Sequence, residues 1–248
     1  MRYIDINSLE NLDELQRQLD ECKDWNCVKD ILSNLSQKTC WYCEHYVPCT
    51  GYAEVDHWRP KCQKKYPWLE FVIKNYIYSC KACNNKKSTH FPLTNDSQRA
   101  KCSTDDLSKE EPLLLNPCSK EDVCSVCYDA AGSLYARTEE IIEKVKKTKH
   151  FLKLDTTERI AKKQKAFNML DSDLEMISLF KTKPEILDPL IEKINKRLVY
   201  EVGNEFVWSF CMYIESWLRE NEENFTEISI RDKIKFPQDF SEIYLGIA

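Results

Sequence analysis

Residues 40–87 carry the most restrictive pattern in the chain, CWYCEHYVPCTGYAEVDHWRPKCQKKYPWLEFVIKNYIYSCKACNNKK. A Cys-x-x-Cys pair stands at each end, Cys40/Cys43 and Cys80/Cys83, and 36 residues separate the two pairs. Four thiolates in two such pairs are the donor set of a tetrahedral structural zinc site. A redox Cys-x-x-Cys motif is the alternative use of one pair, but two pairs in one stretch favour a metal. The sequence therefore predicts Zn²⁺ bound by these four cysteines.

An Asp-His pair lies between the two cysteine pairs, in the run EVDHWRPK of residues 54–61. An imidazole that titrates near neutral pH can take a proton from water, so His57 is the candidate general base, with a purely structural histidine as the alternative. Asp56 and Asn84 offer the hard oxygen ligands that Mg²⁺ or Mn²⁺ prefers, and such a cation can stabilise charge on a scissile phosphate. Because successive residues of a strand point to opposite faces, Asp56 and His57 share a site only where the strand is twisted or bulged. A structural role is the better interpretation for the other histidines, His45, His90 and His150.

The net charge of −5 argues against a nucleic-acid binder, but the charge is unevenly distributed. Residues 59–87 contain eight basic residues and one acidic residue, Glu70, with aromatic residues between them. A basic and aromatic surface of this kind can hold a phosphate backbone. A solvated charged face over an aromatic core is the alternative, and the neighbouring Asp-His pair favours nucleic acid. The candidates for phosphate contacts are Arg59, Lys61, Lys86 and Lys87.

Composition limits the class of protein. The chain has 248 residues, 42% hydrophobic and 31% charged, which allows a packed globular core. It contains no apolar run long enough to span a membrane and no signal-peptide pattern at its start. Thirteen cysteines without an export signal indicate reduced thiols and a cytoplasmic protein. Only four glycines and no Gly-rich phosphate loop make an ATPase a poor interpretation.

Hydrophobic spacing predicts a mostly α-helical α+β protein. Residues 8–37 have helical spacing, with Ser8 as N-cap and a second helix over 26–36. A short β-hairpin is expected around 54–57 and a short helix after Cys80. Residues 92–135 are rich in turn signals, and helical patterns resume at Thr138 and end with an aromatic-rich helix over 200–218. We therefore divide the chain into an N-terminal helical segment, a metal-bound core with a loop-rich extension, and a C-terminal helical scaffold or docking region; these span 1–38, 39–135 and 136–248.

The remaining cysteines follow no clear pattern. Cys124 and Cys127 have metal-ligand spacing, and Cys102 and Cys118 could complete a second site, but the irregular spacing favours ordinary thiols over a second metal. The others are predicted to be ordinary buried or surface thiols, namely Cys22, Cys27, Cys49, Cys62 and Cys211.

The order Cys-x-x-Cys, Asp-His, Asn, Cys-x-x-Cys-Asn-x-x-Lys over residues 40–87 resembles the zinc-clamped branch of the HNH endonucleases. The resemblance implies a ββα-metal core between the N-terminal helices and the C-terminal helical region. It implies that His57 is the base, that Asp56 and Asn84 bind the catalytic metal, and that Asn75 orients the hairpin. Lys87 would support the helix or contact a phosphate.

A narrower resemblance extends beyond this core. HWRPK at 57–61, FPL at 91–93, PLLLNP at 112–117, Gly132 and EEII at 139–142 are similar to the PtuB-type nucleases of Septu and retron anti-phage systems. That family implies an ABC-type ATPase partner, PtuA, and in retron systems a larger complex with a reverse transcriptase and its RNA–DNA product. The cysteines at 102, 118, 124 and 127 depart from the family's features.

Three functions therefore remain open. The first is a metal-dependent endonuclease of bacterial immunity that cleaves DNA or an RNA such as tRNA. The second is a non-catalytic zinc-binding module that docks nucleic acid or a protein, which needs only the four cysteines and the basic surface. The third is a sequence-specific restriction or homing enzyme, but the sequence shows no helix-turn-helix or similar recognition domain.

Overall fold

The computed structural model describes residues 1–50, 52–199, 204–221, 223 and 230–246, except for the side chains of residues 49, 50 and 157–159. Helices predominate, and the strands form two separate antiparallel sheets of two strands each. The α-helices are α1 (Leu12–Cys22), α2 (Asn26–Asn34), α3 (Val47–Thr50), α4 (Lys81–Lys87), α5 (Lys120–Cys124), α6 (Ile142–Leu152), α7 (Thr157–Leu179), α8 (Pro184–Arg197), α9 (Val207–Glu220), α10 (Ile230–Lys233) and α11 (Gln238–Phe240), which continues as a π-helical turn, Ser241–Leu245. The strands are β1 (Ala53–His57), β2 (Tyr76–Cys80), β3 (Val126–Tyr128) and β4 (Leu134–Ala136). The predicted mostly helical α+β class is confirmed, and the second sheet was not predicted.

The N-terminal segment forms the two predicted helices, α1 and α2, but the predicted N-cap is wrong. Ser8 lies in a short 3-10 turn, Ile6–Ser8, which is capped by the carboxylate of Asp5. Asn11 then adopts a left-handed backbone conformation with φ of 58°, so α1 begins only at Leu12. A polar residue before a leucine repeat does not start a helix when a neighbouring carboxylate caps an earlier turn.

The hairpin predicted around residues 54–57 is larger than expected, because those residues lie within β1 alone and β1 pairs with β2, which starts only at Tyr76. Helix α4 is the predicted short helix after Cys80. Ala53 pairs with Cys80 and His57 pairs with Tyr76 at the two ends of the ladder. All five residues of β2 are buried, because α2 and α4 both pack against it. Helix α4 begins at Lys81, directly after β2, so the last residue of the strand and the first turn of the helix are held close together.

The region 92–135, predicted to be rich in loops, also contains α5 and the hairpin β3–β4. Gly132 lies between the two strands with φ of +73°, and a Cβ there would approach the Phe167 ring to 3.0 Å and the Lys163 side chain to 3.1 Å. Glycine is therefore required both by the turn and by its packing against α7. The sequence did not reveal these strands, because three residues are too few to show an alternating pattern.

The C-terminal helices predicted from residue 138 onward are confirmed as α6 to α9. Their buried apolar side chains include Phe167, Leu170, Leu187, Ile194, Trp208 and Ile214. The aromatic-rich helix starts later than predicted, at Val207, because Phe206 before it is left-handed with φ of 63°; residues 200–203 of the predicted helix lie outside the described residues. No helix in the described part of the chain combines the length and apolar character needed to cross a membrane.

Candidate active site beside a four-cysteine centre

The fold brings both cysteine pairs to one point. The Sγ atoms of Cys40, Cys43, Cys80 and Cys83 all lie within 4.8 Å of one another, and all four residues are buried. Cys43 Sγ and Cys80 Sγ are 3.9 Å apart. Two sulfur ligands on a tetrahedral zinc, each at about 2.3 Å from the metal, would be separated by about 3.8 Å. The cluster therefore fits Zn²⁺ in both donor type and size.

Backbone hydrogen bonds position the first pair. Glu44 N donates to Cys40 O at 2.8 Å and Cys40 N donates to His45 O at 2.9 Å, which closes the tight turn carrying the cysteines. Trp41 N donates to Tyr78 O at 3.0 Å, so the turn is attached to β2. The second pair needs no separate support, since it spans the junction of β2 and α4.

The four thiols do not ionise together by themselves. Burial raises the pKa of Cys40 and of Cys83 above its ordinary value, whereas hydrogen bonds from Cys40 lower the pKa of Cys43 and Cys80. A divalent cation at the centre is what would allow all four to bind as thiolates.

The second cysteine group does not come together. Cys124 Sγ contacts Ile243 O, while Cys127 Sγ contacts Met212 O and the Ser216 hydroxyl. Among described groups of three or more His, Cys, Asp or Glu side chains, only the first four cysteines lie close enough together to share a metal. Cys102 lies on the surface, and the side chain of Cys49 is outside the described residues.

Asp56 is buried, with 4% of the residue exposed. Its Oδ2 accepts a hydrogen bond from the Tyr42 hydroxyl at 2.7 Å, and Lys87 Nζ lies 3.0 Å from the same oxygen and 3.1 Å from Oδ1. Lys87 Nζ also donates to His57 O at 2.6 Å. Lys87 is 1% exposed, so its cation stabilises the buried carboxylate and the end of β1 instead of facing solvent.

His57 is held by a contact that decides which ring nitrogen carries the proton. Its Nε2 lies 2.8 Å from Glu70 O, a carbonyl that can only accept, so Nε2 is the protonated nitrogen and the neutral ring keeps its lone pair on Nδ1. The rings of Tyr76 and Trp25 pack edge-to-face against the imidazole, at centroid distances of 5.0 and 6.3 Å. Burial lowers the pKa of His57 below its ordinary value, which keeps the ring neutral at pH 7.

Asn75 fixes the chain as it leaves β1. Its Oδ1 accepts a hydrogen bond from Arg59 N at 2.8 Å, and its Nδ2 donates to Arg59 O at 2.9 Å. Trp58 N donates to Asn75 O at 2.8 Å. The buried amide therefore ties the segment after His57 to the start of β2.

A cleft of about 560 Å³ joins these groups to solvent. Its lining includes Asp56, His57 and Asn84, so the structure brings the three predicted residues to one cavity. Asn84 Nδ2 donates to Glu54 Oε2 at 2.7 Å. The side chains of alternate residues in β1 share a face, so Glu54 lies on the same side of the strand as Asp56.

Several cleft residues were missed in the sequence. Glu54 could have been found from strand alternation, two positions before Asp56. Trp25 and Lys29 come from the start of α2, and no local signal connects that helix with the Asp-His pair. Tyr52 also lines the cleft and is 79% exposed.

The four predicted phosphate-binding residues occupy different environments. Arg59 pairs internally with the buried Glu110, its Nε lying 2.8 Å from Oε2, and Lys87 is buried as described. Lys61 lines the cleft, where its Nζ lies 2.7 Å from Glu70 Oε1 and 4.1 Å from the centre of the Trp25 ring. Lys86 is exposed on α4. Lys61 and Lys86 are thus the two that can meet a ligand from solvent.

Comparisons with known proteins support the predicted resemblance. The chain is 37% identical over 106 residues to the Septu protein PtuB of Bacillus mycoides (strain KBAB4), an alignment that covers 38% of this chain and 36% of that protein. It is 41% identical over 64 residues to the Septu protein PtuB of Bacillus thuringiensis, covering 25% of this chain and 24% of that protein. The chain thus matches about a third and about a quarter of the lengths of these curated relatives. No family model matches the chain. The predicted similarity to PtuB-type proteins is confirmed over these stretches.

Proposed function

We propose that this chain is a metal-dependent endonuclease of the HNH type, in which β1, β2 and α4 form a zinc-clamped ββα-metal core that hydrolyses phosphodiester bonds. The observation that carries the proposal is the state of His57. A buried, neutral imidazole with Nε2 fixed on a backbone carbonyl keeps its Nδ1 lone pair for a proton, and it lines a solvent-connected cleft with Glu54 and Asn84. A general base with a preset tautomer is what deprotonation of an attacking water requires.

The oxygen donors beside His57 fit a hard cation such as Mg²⁺ or Mn²⁺. Asp56 and Asn84 are the proposed ligands, and Glu54 adds a third oxygen donor on the same face of β1. Both Asp56 oxygens already accept hydrogen bonds, whereas Glu54 forms no ion pair with any described residue. When bound, the cation would supply positive charge to the scissile phosphate.

The other residues position these groups or bind the substrate. Asn75 holds the loop after β1 and so sets the orientation of His57, and Lys87 neutralises the buried Asp56. Lys61 and Lys86 are the proposed phosphate contacts, since Lys61 lines the cleft and Lys86 is exposed on α4, the helix that carries Asn84. The proposed substrate is DNA or an RNA such as tRNA, because nothing in the cleft selects a base.

The names of the relatives support a place in anti-phage defence. We infer that the chain acts with a PtuA-like ABC-type ATPase, and that it could join a retron reverse transcriptase and its RNA–DNA product in a larger complex. In this proposal residues 39–135 are the nuclease unit and residues 136–248 are the docking region for the partner.

A non-catalytic zinc module that docks nucleic acid or protein is the alternative function. It would need the four-cysteine centre, but it would not need a histidine with a preset tautomer at a cleft.

A cleavage assay separates the two functions. Purified zinc-loaded protein is given Mg²⁺ or Mn²⁺ with plasmid DNA and total tRNA side by side, with and without the ATPase partner. We expect His57→Ala to abolish cleavage while the zinc content and a cooperative unfolding transition are retained, at a somewhat lower temperature because a buried ring is removed. His90→Ala is the matched control, since His90 is exposed and stacks on Phe151 away from the cleft. Equal cleavage by both variants, or no metal-dependent cleavage by the wild type with its partner present, would favour the docking module.

A further inference from the structure

Two exposed cysteines meet away from the zinc cluster. Cys22 is the last residue of α1 and Cys27 is the second residue of α2. Their Sγ atoms are 2.7 Å apart, and both residues are exposed to solvent. The sequence shows only a Cys-x4-Cys spacing, which does not distinguish this pair from separate surface thiols.

The turn between the helices brings the two sulfurs together. Lys23 adopts a left-handed conformation with φ of 50°, which ends α1. The Asp24 carboxylate then accepts a hydrogen bond from Asn26 N at 2.9 Å, and Cys27 N donates to Asp24 O at 3.2 Å. The chain therefore reverses direction over four residues, with the two thiols at the same edge.

We propose that Cys22 and Cys27 form a reversible intramolecular disulfide in reaction with a small-molecule disulfide such as oxidised glutathione. The Cys22 thiolate attacks one glutathione sulfur, so that a mixed disulfide forms and one glutathione thiolate leaves. The Cys27 thiolate then attacks Cys22 Sγ, which forms the internal S–S bond and releases the second glutathione thiolate. The two protons of the protein thiols end on the two glutathione molecules, so two thiols are oxidised and one disulfide is reduced. A reducing dithiol reverses the reaction.

The geometry favours this pair of thiols. Their Sγ atoms are 2.7 Å apart, against about 2.05 Å in a disulfide bond. Burial, together with the contact from Cys22, raises the pKa of Cys27 to about 11. Cys102 is also exposed, but its sulfur contacts the Thr104 hydroxyl, so it offers a single-thiol comparison in the same chain.

The disulfide would act on the wall of the cleft. Trp25 lies within the turn that the bond would close. Its ring is packed edge-to-face against His57, and Lys61 Nζ lies 4.1 Å from the centre of that ring. Trp25 and Asn26 both line the cleft. Trp25 already packs against His57 in the dithiol state, so oxidation would restrict the movement of the turn that carries it.

Peptide mapping of the zinc-loaded full chain tests the proposal. The protein is incubated with oxidised glutathione, remaining thiols are alkylated, and the digest is analysed by mass spectrometry without reduction. We expect a single cross-linked peptide joining Cys22 and Cys27, with loss of two hydrogen masses and no glutathione retained on either residue. In Cys27→Ser, Cys22 should instead keep one glutathione, as Cys102 does in the wild type. Glutathione on both Cys22 and Cys27 of the wild type, or an unreacted pair when Cys102 has reacted, would overturn the proposal.

Hydrogen exchange supplies a second measurement that involves no nucleic acid and so is independent of the proposed nuclease. The amides of residues 23–28 should exchange more slowly in the oxidised protein than in the reduced protein. The difference should persist in Cys102→Ser and vanish in Cys22→Ser, with zinc content unchanged in both. Equal exchange in the oxidised and reduced wild type would show that the sulfurs do not close the turn.

Discussion

At the scale of single residues, Lys87 is placed to stabilise the site from inside. Its ammonium group contacts both oxygens of Asp56 and the carbonyl of His57, and almost none of the side chain is exposed. The sequence left two roles open for this lysine, support of the helix or contact with a phosphate. The contacts favour support, because a buried cation already satisfied by a carboxylate has nothing to offer a substrate in solvent.

Replacement of Lys87 by methionine tests this role. Removing one partner of a buried ion pair costs about 3–5 kcal/mol, so we expect Lys87→Met to lower the free energy of unfolding by about that amount. Lys86→Met is the matched control. Lys86 is an exposed neighbour on the same helix, so its replacement should change the free energy of unfolding by about 0.5 kcal/mol or less. Urea unfolding with zinc present measures both. Equal stability of the two variants would return Lys87 to the candidates for phosphate binding.

The pH dependence of cleavage tests the state of His57. Burial lowers the pKa of His57 below 6.5, although the Glu70 carbonyl acts in the opposite direction. The neutral base is therefore present at pH 7 and is lost only as the pH falls through the lowered value. We expect cleavage at saturating Mg²⁺ to be flat above about pH 6.5 and to fall with a midpoint below it. Ring ¹⁵N spectra at pH 7 should show the proton on Nε2; a proton on Nδ1 would contradict the proposed base.

At the scale of secondary-structure elements, the cysteine cluster and the hairpin–helix unit could be predicted because their signals are local. Cys-x-x-Cys spacing places two sulfurs within one turn, and a buried apolar run followed directly by Cys80 marks the end of β2. The wall of the cleft could not be predicted in this way. Trp25 and Lys29 line the same cleft as His57 and Glu54 only because α2 packs on β1, which depends on the tertiary fold.

Removal of the zinc tests how far the elements depend on the cluster. The first pair is attached to β2, and the second joins β2 to α4, so loss of the metal should release both junctions. A structural zinc contributes roughly 10–16 kcal/mol of apparent binding free energy. We expect one zinc per chain, and loss of both zinc and cooperative unfolding in Cys80→Ser, whereas Cys102→Ser should behave as wild type. Full zinc content or a normal unfolding transition in Cys80→Ser would contradict a structural centre.

At the scale of the whole molecule, a buried charge network connects the cysteine turn with the C-terminal helices. Glu44 follows Cys43, and its Oε1 accepts a hydrogen bond from the Met1 amino group at 2.7 Å. Ser209 N in α9 donates to Glu44 Oε2 at 3.2 Å, and Lys163 Nζ in α7 donates to Ser209 Oγ at 3.0 Å. No sequence pattern pairs residue 44 with residues 163 and 209, because their contact depends on how distant helices pack.

Burial alone would raise the pKa of Glu44, but the Met1 amino group and Lys163 outweigh it and hold this pKa at about 2. The ionised Glu44 carboxylate therefore stabilises the folded state fully above pH 4.5, the pKa of this group in the unfolded chain. This contribution is lost as the pH falls from 4.5 toward 2. Burial lowers the pKa of Lys163 from 10.5 to about 8. As the pH rises above 8, the folded state loses this proton before the unfolded state does, so the folded state becomes relatively more stable.

A double-mutant cycle tests whether this network joins the two parts of the chain. Glu44→Gln leaves two buried cations without their anion, so we expect the free energy of unfolding at pH 7 to fall by about 3–5 kcal/mol. Lys163→Met alone removes a cation that is costly to bury. The double variant should therefore be more stable than the sum of the single effects predicts, with a coupling of about 0.5–3 kcal/mol. Urea unfolding at pH 7 and pH 4 measures the cycle. The difference in free energy of unfolding between wild type and Glu44→Gln should be smaller at pH 4, because the Glu44 carboxylate of the unfolded chain is partly protonated there. Strict additivity at pH 7 would mean that Glu44 and Lys163 act separately, and that no charge coupling between them joins the cysteine turn to the C-terminal helices.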